Sequence, residues 1–189
     1  MANRFTSFET AHGFVALAWN ADGKISALRL PSASAAEAER GVRRRLGDAE
    51  PGEPPAAIAE AIAAIRRYFE GEAIDFAALP LDLGAQNPLF AQIYAHVRAL
   101  KWGESTTYGA VAKAVGGGPE TARDVGQAMG ANPVPLIVPC HRVLAAGNRI
   151  GGFSAPGGSD SKARMLELEG VAVDQPQAAK PSPQTSFGF

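Results

Sequence analysis

Cys140 is the single cysteine in 189 residues, and His141 follows it directly. A lone thiol cannot close an intramolecular disulfide or supply a four-cysteine zinc site. Two readings remain. One is an inert buried thiol, since free cysteine is among the most buried residue types. The other is a nucleophile whose thiolate is drawn out by a neighbouring base. The surrounding run Val134-Pro135-Leu136-Ile137-Val138-Pro139-Cys140-His141-Arg142-Val143 favours the second. Pro135 and Pro139 fix φ and remove backbone donors, so the run is neither a helix interior nor an ordinary central strand. It reads as a stiff extended segment that delivers Cys140 to a set place.

Three other groups could take part in chemistry. Glu169 shares a helix face with Met165 and Leu166, and a carboxylate on an apolar face costs free energy unless paired. His141 is the candidate partner; solvation at a helix end is the alternative. Ala122, Arg123, Gly126 and Gln127 fall together at helical spacing. A glycine there costs about 1 kcal/mol relative to alanine, and it is explained by close approach of a neighbouring helix or of a DNA strand. Gly151-Gly152-Phe153-Ser154-Ala155-Pro156-Gly157-Gly158 is either a surface loop or one that lies against a flat ligand.

The elements that must position these groups divide the chain near residue 85. In residues 1–85, strand-like runs Gly13 to Trp19 and Ile25 to Leu30 flank the turn Asn20-Ala21-Asp22-Gly23, a β-hairpin signal. Ser32 or Ser34 caps a helix through Leu46, with Val42 and Leu46 facing inward. A second helix carries Ile58, Ile62, Ile65 and Phe69. His12 has no ligand partner nearby in sequence. In residues 86–172, Pro88 to Leu100 reads as a helix, and Thr106 or Thr107 caps another over Tyr108 to Val115. Gly116-Gly117-Gly118 breaks it. Pro119 begins a further helix to about Gly130, with the proline in its first turn. This pair is either a helix-turn-helix or a plain αα-hairpin. Val143 to Ile150 reads as a hairpin or wing, and Ser159 or Asp160 caps a last helix through Glu169. Residues 173–189, rich in Pro, Gln and Ser, read as a disordered tail. The fold class is therefore α+β: a small N-terminal α/β unit, then a helical C-terminal unit with a winged helix-turn-helix.

Composition agrees with a soluble globular chain, 46% hydrophobic with a net charge of −1. No window approaches the roughly 18 apolar residues of a membrane span. Met1 to Arg4 lacks a signal-peptide pattern; with one thiol, this points to the cytoplasm or nucleoid. Global charge gives no sign of nucleic acid. Between residues 97 and 149, six basic residues face three acidic ones, an excess that also fits a solvated surface.

The run from Gly130 to Val143 resembles the acceptor-site motif of the O6-alkylguanine-DNA alkyltransferases, the methylated-DNA–protein-cysteine methyltransferases. Further likenesses follow in order over Asn87 to Val171. Trp102-Gly103-Glu104 through Tyr108-Gly109 is similar to the family's entry into its helix-turn-helix. Thr121-Ala122-Arg123 with Gly126 resembles its DNA-contacting helix, and Leu166 to Gly170 its closing helix.

The resemblance implies direct transfer of an alkyl group from O6-alkylguanine, or O4-alkylthymine, in double-stranded DNA to Cys140. Each molecule would act once. His141 would activate the thiol through a water and Glu169 would orient the imidazole. A water also suits an extended segment, where adjacent side chains point apart. Asn132 would hold the turn before the motif, and Tyr108 would donate to the base ring. The nucleotide must be flipped out, at a cost of a few kcal/mol. Arg123 would fill the vacated place from the minor groove, with Ala122, Gly126, Thr121, Gln127 and Arg142 also at the DNA. Tyr108, Val143, Phe153 and Ser154 would form the substrate pocket. No cofactor and no metal are implied, and the protein would act as a monomer away from membranes. The chain departs from the family in places. Phe153 stands where many members carry tyrosine, the loop Ser154 to Asp160 is longer, and Asp124 sits beside Arg123. Rival readings are a non-enzymatic lesion-binding module, a Cys–His hydrolase and a winged-helix regulator. The first kind lacks the acceptor cysteine, the second needs an oxyanion hole, and the third fits poorly with the low net charge.

Overall fold

The computed structural model describes residues 3–173. The expected tail lies outside them apart from Val173. Strands β1 (Arg4–Thr10), β2 (Gly13–Trp19) and β3 (Ile25–Ser32) form an antiparallel meander. Two-residue β4 (Glu50–Pro51) adds in parallel beside β1, giving the order β3-β2-β1-β4. The hairpin expected over residues 13–30 is present. β1 was absent from the sequence reading because its apolar residues do not alternate. Phe5 and Phe8 are three apart and point to opposite faces, each into a different hydrophobic cluster.

That division organises the first half. Ala16, Ala18 and Ala27 cover one sheet face, and their small side chains let α1 (Ala35–Leu46) lie close through Ala38 and Val42. Ser34 caps α1 and accepts from the Glu37 amide; Leu46 is half-buried. Val15, Leu17 and Trp19 face the other way and pack with Ile58, Ile62, Ile65 and Tyr68 of α2 (Ala56–Phe69). This larger core continues without a break into Ile93, Val97, Val111, Val125, Val138 and Met165. The backbone stitches the halves together too, with the Leu28 amide donating to the Pro133 carbonyl at 2.9 Å.

The second half comprises α3 (Pro88–Arg98), β5 (Thr106–Thr107), α4 (Tyr108–Ala114), α5 (Thr121–Ala131), a 3-10 turn at Cys140–Arg142, β6 (Val143–Leu144) and α6 (Gly158–Leu168). Asn87 and Thr107 cap α3 and α4 through their side chains. Two boundary expectations need correction. Pro119 lies in a tight turn before α5, whose cap is Glu120. Neither Ser159 nor Asp160 caps α6: Gly157, at φ 79°, makes the entry, a backbone geometry that favours glycine. Beyond β6, Ala145 pairs with Arg149 across a short hairpin.

The segment before Cys140 is not extended. The Asn132 side chain donates to the Val138 carbonyl at 2.8 Å and accepts from the Val134 amide at 3.0 Å. This folds residues 132–138 into a compact loop, with buried Leu136 at φ 79°. A non-glycine residue held there stores strain of order 1–3 kcal/mol. Cys140 therefore leaves a tight loop and opens a 3-10 turn. About 120° per residue in such a turn still sends Cys140 and His141 in different directions.

Candidate active site

Cys140 is only 4% exposed, yet it lines an open cleft of about 750 Å³. Tyr108, Arg123, Gly126, Met129, Phe153 and Ser154 also line it. That size falls within the usual range for small-molecule sites. α4 contributes Tyr108, α5 contributes Ala122, Arg123 and Gly126, and the glycine-rich loop contributes Phe153 and Ser154. Gly151 is needed: a Cβ there would sit 3.2 Å from the Tyr108 hydroxyl and 3.0 Å from its ring. No contact explains Gly126, where a Cβ would meet nothing within 4 Å. Of the two readings of this glycine, a neighbouring protein helix is therefore excluded among the described residues.

His141, the residue after the thiol, belongs to a buried polar cluster that lies outside the cleft lining. His141 is 0% exposed, and its Nε2 lies 2.7 Å from Glu169 Oε1. Tyr68 donates its hydroxyl to the same oxygen at 2.7 Å. Arg142 grips both carboxylate oxygens, through Nε at 2.8 Å and Nη2 at 2.9 Å. Its Nη1 donates to the Leu100 carbonyl. Burial alone would raise the Glu169 carboxyl. Hydrogen bonds from His141 and Arg142 outweigh it and bring the group down to about 2. Burial pushes the His141 imidazole below its ordinary value despite Glu169. The ring is therefore neutral near pH 7, with its proton on Nε2 facing the carboxylate. Nδ1 is then a bare acceptor, and it is buried without a hydrogen-bond partner among the described residues.

Burial also pushes the Cys140 thiol up; the Asn132 side chain and the charge of Lys162 oppose this. Lys162, on α6, is fully buried and donates to the Val143 carbonyl at 2.5 Å. Its ammonium stands 5.6 Å from the Tyr108 ring and 5.8 Å from the Phe153 ring. Burial lowers it to about 8.

The structure thus brings together Cys140, His141, Glu169, Asn132, Tyr108, Arg123, Ala122, Gly126, Phe153 and Ser154. Three expected positions differ. Arg142, expected at the DNA, is 4% exposed and spent on Glu169. Thr121 is buried against Gly117, off the outer face of α5. Val143 is buried below the cleft, where its carbonyl receives Lys162. Gln127 is exposed but outside the cleft lining. Sequence reasoning missed Tyr68 and Lys162. An aromatic at an apolar helix position gives no hint of its distant partner; a lysine sharing a face with Met165 and Leu166 was a readable signal.

Residues 88–171 match the family model described as 6-O-methylguanine DNA methyltransferase, DNA binding domain. A methylated-DNA–protein-cysteine methyltransferase of Methanothermobacter thermautotrophicus is 31% identical over 160 residues, covering 85% of this chain and 81% of that protein. The chain belongs to the methylated-DNA–protein-cysteine methyltransferase family. It is thus a direct-reversal DNA repair protein by class. The namesake from Metallosphaera sedula is 43% identical over 109 residues, covering 58% of this chain and 65% of that one. The Mycobacterium tuberculosis OGT in complex with DNA superposes with a TM-score of 0.70 at 29% identity, covering 88% of this chain and 92% of that one. This methyltransferase has no helix, among the described residues, long and apolar enough to cross a membrane.

Proposed function

We propose that the protein repairs O6-alkylguanine in duplex DNA by moving the alkyl group to Cys140 Sγ, once per molecule. The observation that carries this is the joint placement of the sole cysteine in an open cleft and an unpartnered imidazole nitrogen behind it. A free thiol is only a few per cent ionised near pH 7, and burial makes Cys140 more reluctant. The proton passes, through a water, to His141 Nδ1. Glu169 then faces an imidazolium and stabilises it, as a buried carboxylate does in a catalytic triad. The Sγ lone pair forms the S–C bond as the C–O6 bond breaks. The leaving guanine takes up one proton, with the Tyr108 hydroxyl as donor to the ring. Burial holds the Tyr108 phenol above its ordinary value, which keeps it in the donating form.

Arg123 is the exposed side chain on α5 suited to occupy the place of the flipped nucleotide. Ala122 and Gly126 beside it are small enough to admit a minor-groove strand. Phe153 stacks on the base. Residues 1–85 serve as a structural unit that carries Tyr68, and residues 86–172 as the DNA-binding and transfer unit. The protein acts in the cytoplasm, on the nucleoid, as a monomer.

The test is incubation with a duplex containing O6-methylguanine, then mass analysis of intact protein and peptides. The expected result is a gain of one CH2 on the Cys140 peptide, ending at one equivalent. Methyl on another residue, or repeated turnover, sinks the reading. Cys140→Ala should still bind DNA and leave the lesion untouched.

A further inference from the structure

A second, charged groove reaches the Asn132 loop at Pro133. It spans about 670 Å³, between α1 and the β3 strand, and Arg29, Arg44, Arg45, Asp82 and Pro133 line it. The three guanidiniums are close enough to repel. Burial lowers Arg29, and Arg44 lowers it further; burial likewise lowers Arg45, Tyr94 opposes this and Arg29 adds to it. Among the described residues, none of the three forms an ion pair. Glu37 offsets part of the charge on Arg29. Asp82 is already engaged, accepting from Asn20 Nδ2 at 2.8 Å and the Gly84 amide at 3.0 Å.

The groove is built at a cost. Arg29 threads across α1 at Gly41, where any Cβ would collide with its guanidinium. A glycine in a helix interior costs about 1 kcal/mol against alanine. Arg29 Nε is buried there with no hydrogen-bond partner. Gathering like charges opposes folding, and an anion in the groove would relieve that repulsion. The position says which anion. Arg45 Nη2 donates to the Ala131 carbonyl at 3.0 Å, at the C-terminal end of α5. Gly130, one residue earlier, lines the cleft that holds Cys140. The basic groove therefore continues the surface that the proposed function lays on DNA.

We propose that Arg29, Arg44 and Arg45 bind backbone phosphates of the same duplex, extending its footprint from α5 onto α1 in the N-terminal half. This rests on α5 being the DNA-facing helix. The contacts are sequence-independent and screened by salt, each worth about 0.9 in the slope of log affinity against log salt.

The experiment compares the full chain with its Arg44→Gln, Arg45→Gln double variant on an undamaged duplex oligonucleotide between 50 and 200 mM salt. These concentrations bracket the range where phosphate contacts are lost. The expected outcome is a salt slope shallower by roughly one to two units. Arg44→Lys, Arg45→Lys should restore it. Alkyl transfer from free O6-benzylguanine, which needs no duplex, should be unchanged. Arg44→Gln alone, at an exposed side chain with no side-chain hydrogen bond or ion pair among the described residues, serves if the double variant does not fold; it should flatten the slope by roughly one unit. A slope equal to that of the parent overturns the proposal, as does a groove that binds inorganic phosphate while the slope stays put. Failure of the transfer reading would appear differently, as absence of reaction with the free base in the parent itself.

Discussion

The two sides of Cys140 are built on opposite principles. Behind it, Tyr68, His141, Arg142 and Glu169 form a sealed cluster in which the carboxylate accepts from three side chains. In front, Tyr108, Arg123, Phe153 and Ser154 line a cleft open to solvent. The cluster sets a protonation state, which tolerates no slack. On the proposed function the cleft receives a ligand that brings part of its own order. Substitutions behind the thiol should therefore damage both folding and chemistry, and those in front should damage substrate binding or repair with little effect on folding.

Glu169→Gln is the largest test of this contrast short of removing the thiol. The amide keeps the shape but removes the charge that Arg142 pairs with and that the proposed imidazolium would require. Leaving a buried cation uncompensated costs about 3–5 kcal/mol. Loss of the general-base partner should slow transfer to free O6-benzylguanine by roughly 10²–10⁴. Chemical denaturation and single-turnover kinetics read the two losses separately. A rate within a factor of a few of the parent would show that the cluster is only structural. Acid makes the same point. Glu169 is depressed in the folded state, so its contribution to stability is complete above about 4.5 and is lost as pH falls toward about 2. A denaturation midpoint that stays flat across that window would contradict the pairing.

Tyr68→Phe should act in the same direction and less strongly. It removes one hydrogen bond to a charged group, worth about 1.5–3 kcal/mol, and leaves His141 and Arg142 on Glu169. Transfer to the free base should slow along with the loss of stability. An effect confined to DNA binding would put Tyr68 on the wrong side of the thiol.

This division also explains what the sequence disclosed. The cleft was legible because its residues lie in local patterns: Arg123 and Gly126 on one helix face, Phe153 in a glycine-rich loop, Cys140 directly after Pro139. The hairpin around Asn20 to Gly23 and the Ser34 cap are local as well. The sealed cluster was only half legible. Glu169 declared itself as a carboxylate on an apolar face. Tyr68 did not, since it reads as one more apolar position of α2, and its partner lies 101 residues away. Arg142 misled for the reverse reason. A basic residue beside a reactive cysteine suggests a DNA contact, and only tertiary packing shows its charge consumed by Glu169. The run Val134 to Val143 reads as extended in the sequence because Pro135 and Pro139 forbid helix. The folded loop depends on the Asn132 side chain reaching both ends, which proline content does not report.

Arg123→Ala breaks the contrast from the other side. The guanidinium is exposed and has no ion pair among the described residues, so stability should move by less than about 0.5 kcal/mol. Repair of a paired lesion should fall, because flipping costs a few kcal/mol that an inserted side chain offsets. Reaction with the free base should be untouched. Equal losses on both substrates would mean that Arg123 supports the thiol and does not enter DNA.

The mildest test is Phe153→Tyr. The ring stays in the cleft, with the Lys162 ammonium 5.8 Å from its centroid, and stacking on a base depends on the ring face that both residues share. The added hydroxyl enters a rim already open to water, so it need not be desolvated without a partner. Rates on free base and on duplex should therefore change by no more than a few-fold, within about 1 kcal/mol. Phe153→Ala, by contrast, removes the face itself. It should cost about 1–3 kcal/mol of base stacking, seen as weaker saturation by the free base with little change in thermal stability. If the added hydroxyl perturbs transfer as much as loss of the ring does, the cleft is as exacting as the cluster behind the thiol, and the distinction between the two sides fails.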